Sequence, residues 1–162
     1  MAVLSKRFGR YGLSLHPEKT SIIRFKRPSS GSGKDPRNGR CDFLGFTFYW
    51  AESRSGYWVI KKRTARKRLL RFMGRLWRWC NENMHEPINE QHQVLCAKLR
   101  GWFRYHGVRH NYRAPKALLV CAEEAWRYWL NRRSHKGAIR FEKFEKLRVS
   151  YPFPEPRIVD NI

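Results

Sequence analysis

Arg68, Arg71, Arg75 and Arg78 recur at spacings of three, four and three in the run TARKRLLRFMGRLWRWC, residues 64–80. On an α-helix that spacing lines the side chains along one side. A guanidinium presents a rigid fork of donors that matches phosphate oxygens. Lys67 joins the stripe, while Arg66 falls on the wrong side. A charged stripe is ordinarily a solvated face. Here nearly every charge is positive, and the chemistry it suits is phosphate binding.

Aromatic residues supply a second kind of contact. Trp77, Trp79, Trp102, Tyr105, Tyr112, Trp126, Tyr128 and Trp129 are interleaved with arginines, and aromatic rings stack on unpaired bases. Trp102, Trp126 and Trp129 read as core. Tyr105 and Tyr112 flank a basic loop carrying Arg109 and Arg113, and Arg100 and Arg104 share the helix of Tyr105. These two tyrosines and the arginines beside them complete the candidate RNA-contact set with Lys67 and the α-helical stripe. Gly101 lies inside the same helix, where glycine costs about 1 kcal/mol against alanine in an exposed interior; close approach of a neighbouring helix or of a phosphate backbone would call for it, and helix packing is the expected reason.

Catalytic chemistry is poorly supplied. His106 and His110 stand four apart, but Gly107 interrupts the helix that would align them as metal ligands. Glu123 and Glu124 are adjacent, so on a helix they point about 100° apart and make a poor carboxylate pair. There is no Asp-Asp pair, no G-x-S-x-G and no glycine-rich phosphate loop. No catalytic residue, metal site or cofactor is assigned. Cys41, Cys80, Cys96 and Cys121 are widely separated, without a C-x-x-C pair, and read as reduced thiols of a cytoplasmic protein.

Composition agrees with a polyanion as partner. The chain has 35 Lys plus Arg against 13 Asp plus Glu, a net charge of +22. Self-repulsion of that size is relieved when phosphates neutralise it. Apolar residues at 41% and aromatics at 15% are enough to build a core. No apolar run approaches the roughly 18 residues of a spanning helix, and Lys6, Arg7 and Arg10 break any signal-peptide pattern. An anionic membrane surface is the second candidate polyanion after nucleic acid, and RNA rather than a membrane is the expected partner.

Positioning these residues requires a small sheet followed by helices, an α+β fold. The pattern predicts a helix over 1–12, a strand over 21–25, a flexible loop over 26–40 and a strand over 42–50 with Gly45 as a bulge or close approach. A turn and a strand over 57–61 follow. Thr64 is placed to cap a helix over 65–83 with Ala65, Leu69, Phe72, Leu76 and Cys80 on its apolar face. Further helices are predicted over 89–106, from about Pro115 and over 138–147, then an extended tail rich in proline. The domains so read are residues 1–62, 63–150 and 151–162.

Three of these segments resemble the C-terminal part of a bacterial group II intron reverse transcriptase/maturase. GLSLHPEKT, residues 12–20, and CDFLGFTF, residues 41–48, resemble that family's last two palm blocks. LRGWFRYHG, residues 99–107, resembles the core of its maturase-specific thumb, domain X. AWRYWL, residues 125–130, and PRIV, residues 156–159, fit the same ending. The resemblance implies a palm remnant of sheet and helix, then a helical thumb that holds intron RNA and the primer-template duplex. It places Phe43, Leu44 and Gly45 near a primer end and Lys19 near a nucleotide site. The family's Tyr-Ala-Asp-Asp box is not in this chain, so polymerisation does not carry over, and Mg²⁺ would enter only with a complementing palm. The expectation is an RNA-binding maturase-type domain that assists splicing. The rival is one half of a split reverse transcriptase, active only with an upstream fingers and palm fragment. Self-association would be another way to cover exposed sheet edges.

Overall fold

Three long helices form the core because each carries an apolar stripe that must be buried against another. The computed structural model describes residues 2–16, 18, 20, 22–23, 25–28, 39–133 and 141–158. The elements run α1 (Ala2–Gly9), β1 (Arg40–Phe43), β2 (Phe46–Glu52), β3 (Trp58–Thr64), α2 (Arg66–Glu82), α3 (Ile88–His106), α4 (Arg113–Arg132) and α5 (Phe141–Ser150). This is the α+β architecture that the pattern implies. The sheet is antiparallel in the order β1-β2-β3.

α4 is the common wall, with α2 and α3 both packed against it. Leu76 and Cys80 of α2, Leu95, Leu99 and Phe103 of α3, and Leu118, Ala122 and Ala125 of α4 close the core around Trp126, which is fully buried. Trp126 Nε1 donates to Gln91 Oε1 at 2.9 Å, and Gln91 Nε2 donates to the carbonyls of Met84 and Glu86 at 3.2 and 2.8 Å. One buried amide thus satisfies the indole and the turn between α2 and α3. Residues 151–158 form neither helix nor strand and are held down. Phe153 is buried against Trp126, with ring centroids 5.2 Å apart, and His92 Nε2 donates to the Pro152 carbonyl at 2.9 Å. At Gly107 a Cβ would collide with the carbonyls of Phe103 and Arg157, so only glycine lets the tail pass.

Three expectations need correcting in and beside the sheet. The strand drawn over 42–50 is two strands joined by a two-residue turn, since Phe43 pairs with Phe46. Leu44 and Gly45 have φ of 49° and 82°, the left-handed pair of a type I′ hairpin turn, which suits the twist of the strands. Thr64 does not cap α2. The N-cap is Ala65, without a side-chain bond, because the Thr64 hydroxyl is used elsewhere. The strand drawn over 21–25 is not formed at Ile22, Ile23 or Phe25, which have no ladder partner; Ser21 and Arg24 lie outside the described residues. So do Pro17, Lys19, most of the loop at 26–40, residues 138–140 of the last predicted helix, and Val159.

Thr64 joins the sheet to the helices. Asn111 Oδ1 accepts from the Thr64 N–H at 2.7 Å, and Asn111 Nδ2 donates to Thr64 Oγ1 at 2.8 Å and to the His106 carbonyl at 2.7 Å. Thr64 Oγ1 also lies 3.2 Å from His106 Nδ1, within hydrogen-bonding distance. The buried imidazole is neutral at pH 7. Burial, and then the Arg68 charge, push His106 down from 6.5 to about 4.

That neutral ring gives stability a pH dependence of defined sign. Between these two values the unfolded chain holds a proton that the folded ring refuses, so stability is whole above about pH 6.5 and falls as pH drops toward 4. Urea unfolding at pH 5 should show on the order of 2 kcal/mol less stability than at pH 7 from this group, and His106→Gln should remove most of the difference.

Candidate nucleic-acid interface

The four arginines of the stripe, Arg68, Arg71, Arg75 and Arg78, all reach solvent, as does Lys67. Among the described residues none of the four has an ion-pair partner; Glu82, four residues beyond Arg78, forms no bond with it. The stripe is two rows. Arg68 and Arg75, seven residues apart, look into a groove between α2 and α3, whereas Arg71 and Arg78 stand outside it. A three-residue step falls about 60° short of a full turn, and this is enough to separate the rows.

The groove exists because α2 and α3 pack on α4 more than on each other. They meet at Phe72 and Trp102, whose ring centroids are 6.0 Å apart. Above that contact lies an open space of about 530 Å³, closed at one end by the Leu44–Gly45 turn. Arg68 and Arg75 line one wall. Lys98 and Tyr105 line the other, with Gly101 at the floor between them. Tyr105 is fixed on two sides: its hydroxyl donates to the Leu44 carbonyl at 2.7 Å, and its ring stacks on Phe46 at 5.6 Å. Leu44, a side chain in a strained left-handed conformation, is thus tied to α3 by its own carbonyl.

The expected role of Gly101 is overturned. A Cβ built there meets nothing within 4 Å, so no neighbouring helix requires the glycine. The same residue keeps the groove floor flat. Lys98 and Phe72 are site residues that sequence reasoning misses, although Lys98, Gly101, Trp102 and Tyr105 have the i, i+3, i+4, i+7 spacing of one helix face. The mixed chemistry of that face, neither an apolar stripe nor a charged one, conceals it.

The remaining candidates are scattered. Arg100 and Arg104 are exposed on α3 but do not line the groove. Arg109 belongs to a separate cluster with Lys61 and Lys62 of β3 about His110, whose imidazole is pushed down by desolvation first and then by these three cations. Tyr112 and Arg113 are exposed at the start of α4. Trp77 and Tyr128 pack together across α2 and α4, with centroids 5.3 Å apart, and Arg132 lies 4.6 Å over the tyrosine ring. Leu44 and Gly45 line the same groove as Arg68 and Tyr105, whereas Phe43 does not line it. The Cys80 thiol is not poised for chemistry: burial first, with Cys121 next, pushes it up to about 12.

No family model, curated protein or solved structure matches the chain. No helix among the described residues is long and apolar enough to cross a membrane.

Since Gly101 is exposed within a helix and has open space around it, alanine is the better residue for the fold. Gly101→Ala should raise the unfolding free energy by about 1 kcal/mol in urea or thermal unfolding. Destabilisation instead would mean that the backbone at this position needs glycine.

Proposed function

We propose that this chain is an RNA-binding module of the group II intron maturase type, which grips structured intron RNA through its phosphates and assists its splicing. The carrying observation is the set of exposed α2 arginines without acidic partners among the described residues. Unneutralised guanidiniums on a rigid helix repel one another until an anion arrives, and release of RNA counterions then favours the complex. The likeness of residues 99–107 to the maturase thumb points to RNA as the polyanion. A cytoplasmic setting suits the four free cysteines.

Binding to a folded intron RNA should weaken steeply with salt, log K falling by about 0.9 for each duplex phosphate neutralised and about 0.7 for each on a single strand. Replacing Arg68, Arg71, Arg75 and Arg78 by Gln should lower affinity and flatten the slope by about that amount for each phosphate left unneutralised. An unchanged slope in a variant of unchanged melting temperature would remove α2 from the interface.

The sheet favours a second reading. Phe43, Leu44 and Ile60 are exposed, and the outer edges of β1 and β3 are unpaired among the described residues. A chain supplying further strands would cover them, as expected for one half of a split reverse transcriptase. Mixed with an upstream fragment that carries the aspartate box and with Mg²⁺, the chain should then restore RNA-templated DNA synthesis. Failure across such mixtures leaves the binding module alone.

A further inference from the structure

The groove between α2 and α3 combines three properties that no single packing role requires. Its cations, Arg68, Arg75 and Lys98, come from two helices, and no carboxylate lines it. Such a site is an anion site by charge. Its walls also present aromatic rings. Tyr105 is half exposed, with its hydroxyl held by Leu44 and its ring backed by Phe46, so it is a platform already fixed before any ligand arrives. Its floor is the bare backbone side of Gly101, where a side chain would fit without touching the protein. At about 530 Å³ the space is in the range that takes a small organic group rather than a water or an ion.

We propose that this groove holds an unpaired nucleotide of an RNA strand, its base laid against the Tyr105 ring over Gly101 and its flanking phosphates on Arg68, Arg75 and Lys98. This rests on the reading of α2 as an RNA surface and specifies what its inner row touches. A paired base has no free face to offer a ring, so duplex can engage the outer row, Arg71 and Arg78, but not the groove. Arg68 and Arg75 stand two helical turns apart, about 10.5 Å along the axis, which suits successive phosphates better than one. His106 adds a neutral imidazole, whose Nδ1 is engaged with Thr64 Oγ1 and whose ring lines the groove.

The test uses the whole chain and a change without charge. Binding of a fluorescent four-nucleotide oligoadenylate, of AMP and of a blunt RNA duplex is measured for wild type, Gly101→Leu and Arg71→Gln/Arg78→Gln. Leucine at 101 fills the floor, is a good helix former and leaves every cation in place. The oligoadenylate should bind the wild type, and Gly101→Leu should weaken it about tenfold, the scale of one stacked base. Duplex affinity should stay unmoved in Gly101→Leu and fall in Arg71→Gln/Arg78→Gln. Oligoadenylate that fails to bind, or that binds Gly101→Leu equally well, overturns the groove assignment, because non-specific attraction to a basic surface is indifferent to a leucine. AMP binding as tightly as the oligonucleotide overturns the assignment to a strand. Duplex that fails to bind while the oligonucleotide obeys the groove mutation sinks the outer-row reading instead.

Discussion

A single buried amide sets the geometry on which the site depends. Asn111 sits where the last residue of β3, the last residue of α3 and the loop before α4 converge, and its side chain bonds to the first two. Burying the Thr64 N–H without this acceptor would cost about 1–3 kcal/mol, while the Thr64 hydroxyl and the His106 carbonyl each have a second partner, His106 Nδ1 and the Val108 N–H. The amide therefore fixes how far the hairpin leans over the helices. That lean brings Leu44 within reach of Tyr105 and closes one end of the groove. A polar knot in place of apolar packing here gives the joint a specified angle, because hydrogen bonds are directional where hydrophobic contact is not.

The same division runs through the whole molecule. The core behind Trp126 is apolar and closed, while the face of α2 turned away from it carries charge that nothing in the described chain cancels. A helix with no acidic residue in its first turn and cations stacked along one side is not optimised for itself. Its stability comes from Leu76 and Cys80 below, which leaves the upper side free to serve a ligand.

The fold class is legible because helical and strand periods are written in residues that must be buried: Leu95, Leu99 and Phe103, or Leu118, Ala122 and Ala125, have no other stable arrangement. The hairpin at Leu44–Gly45 is not, because leucine is a poor predictor of positive φ; the turn is held by Tyr105, sixty-one residues later. Thr64 shows the same limit. Its local context says helix cap, and a partner forty-seven residues away overrides it. The arginine stripe is legible as a face, but its division into two rows depends on where α3 lies beside it. Gly101 misleads for a related reason: sequence marks the missing side chain without saying whether protein or solvent fills the space.

The segment after α5 has a consequence for how the chain is made. Phe153 is part of the shell around Trp126, and the Arg157 carbonyl fills the space beside Gly107 at the far end of α3. As the polypeptide leaves the ribosome, α2, α3 and α4 are complete while one side of that indole is still bare. A chain emerging at about 5–20 residues per second crosses the remaining distance in seconds, long enough for the uncovered ring to meet other molecules. These late-arriving residues thus act as a lid on an interior that cannot close without them.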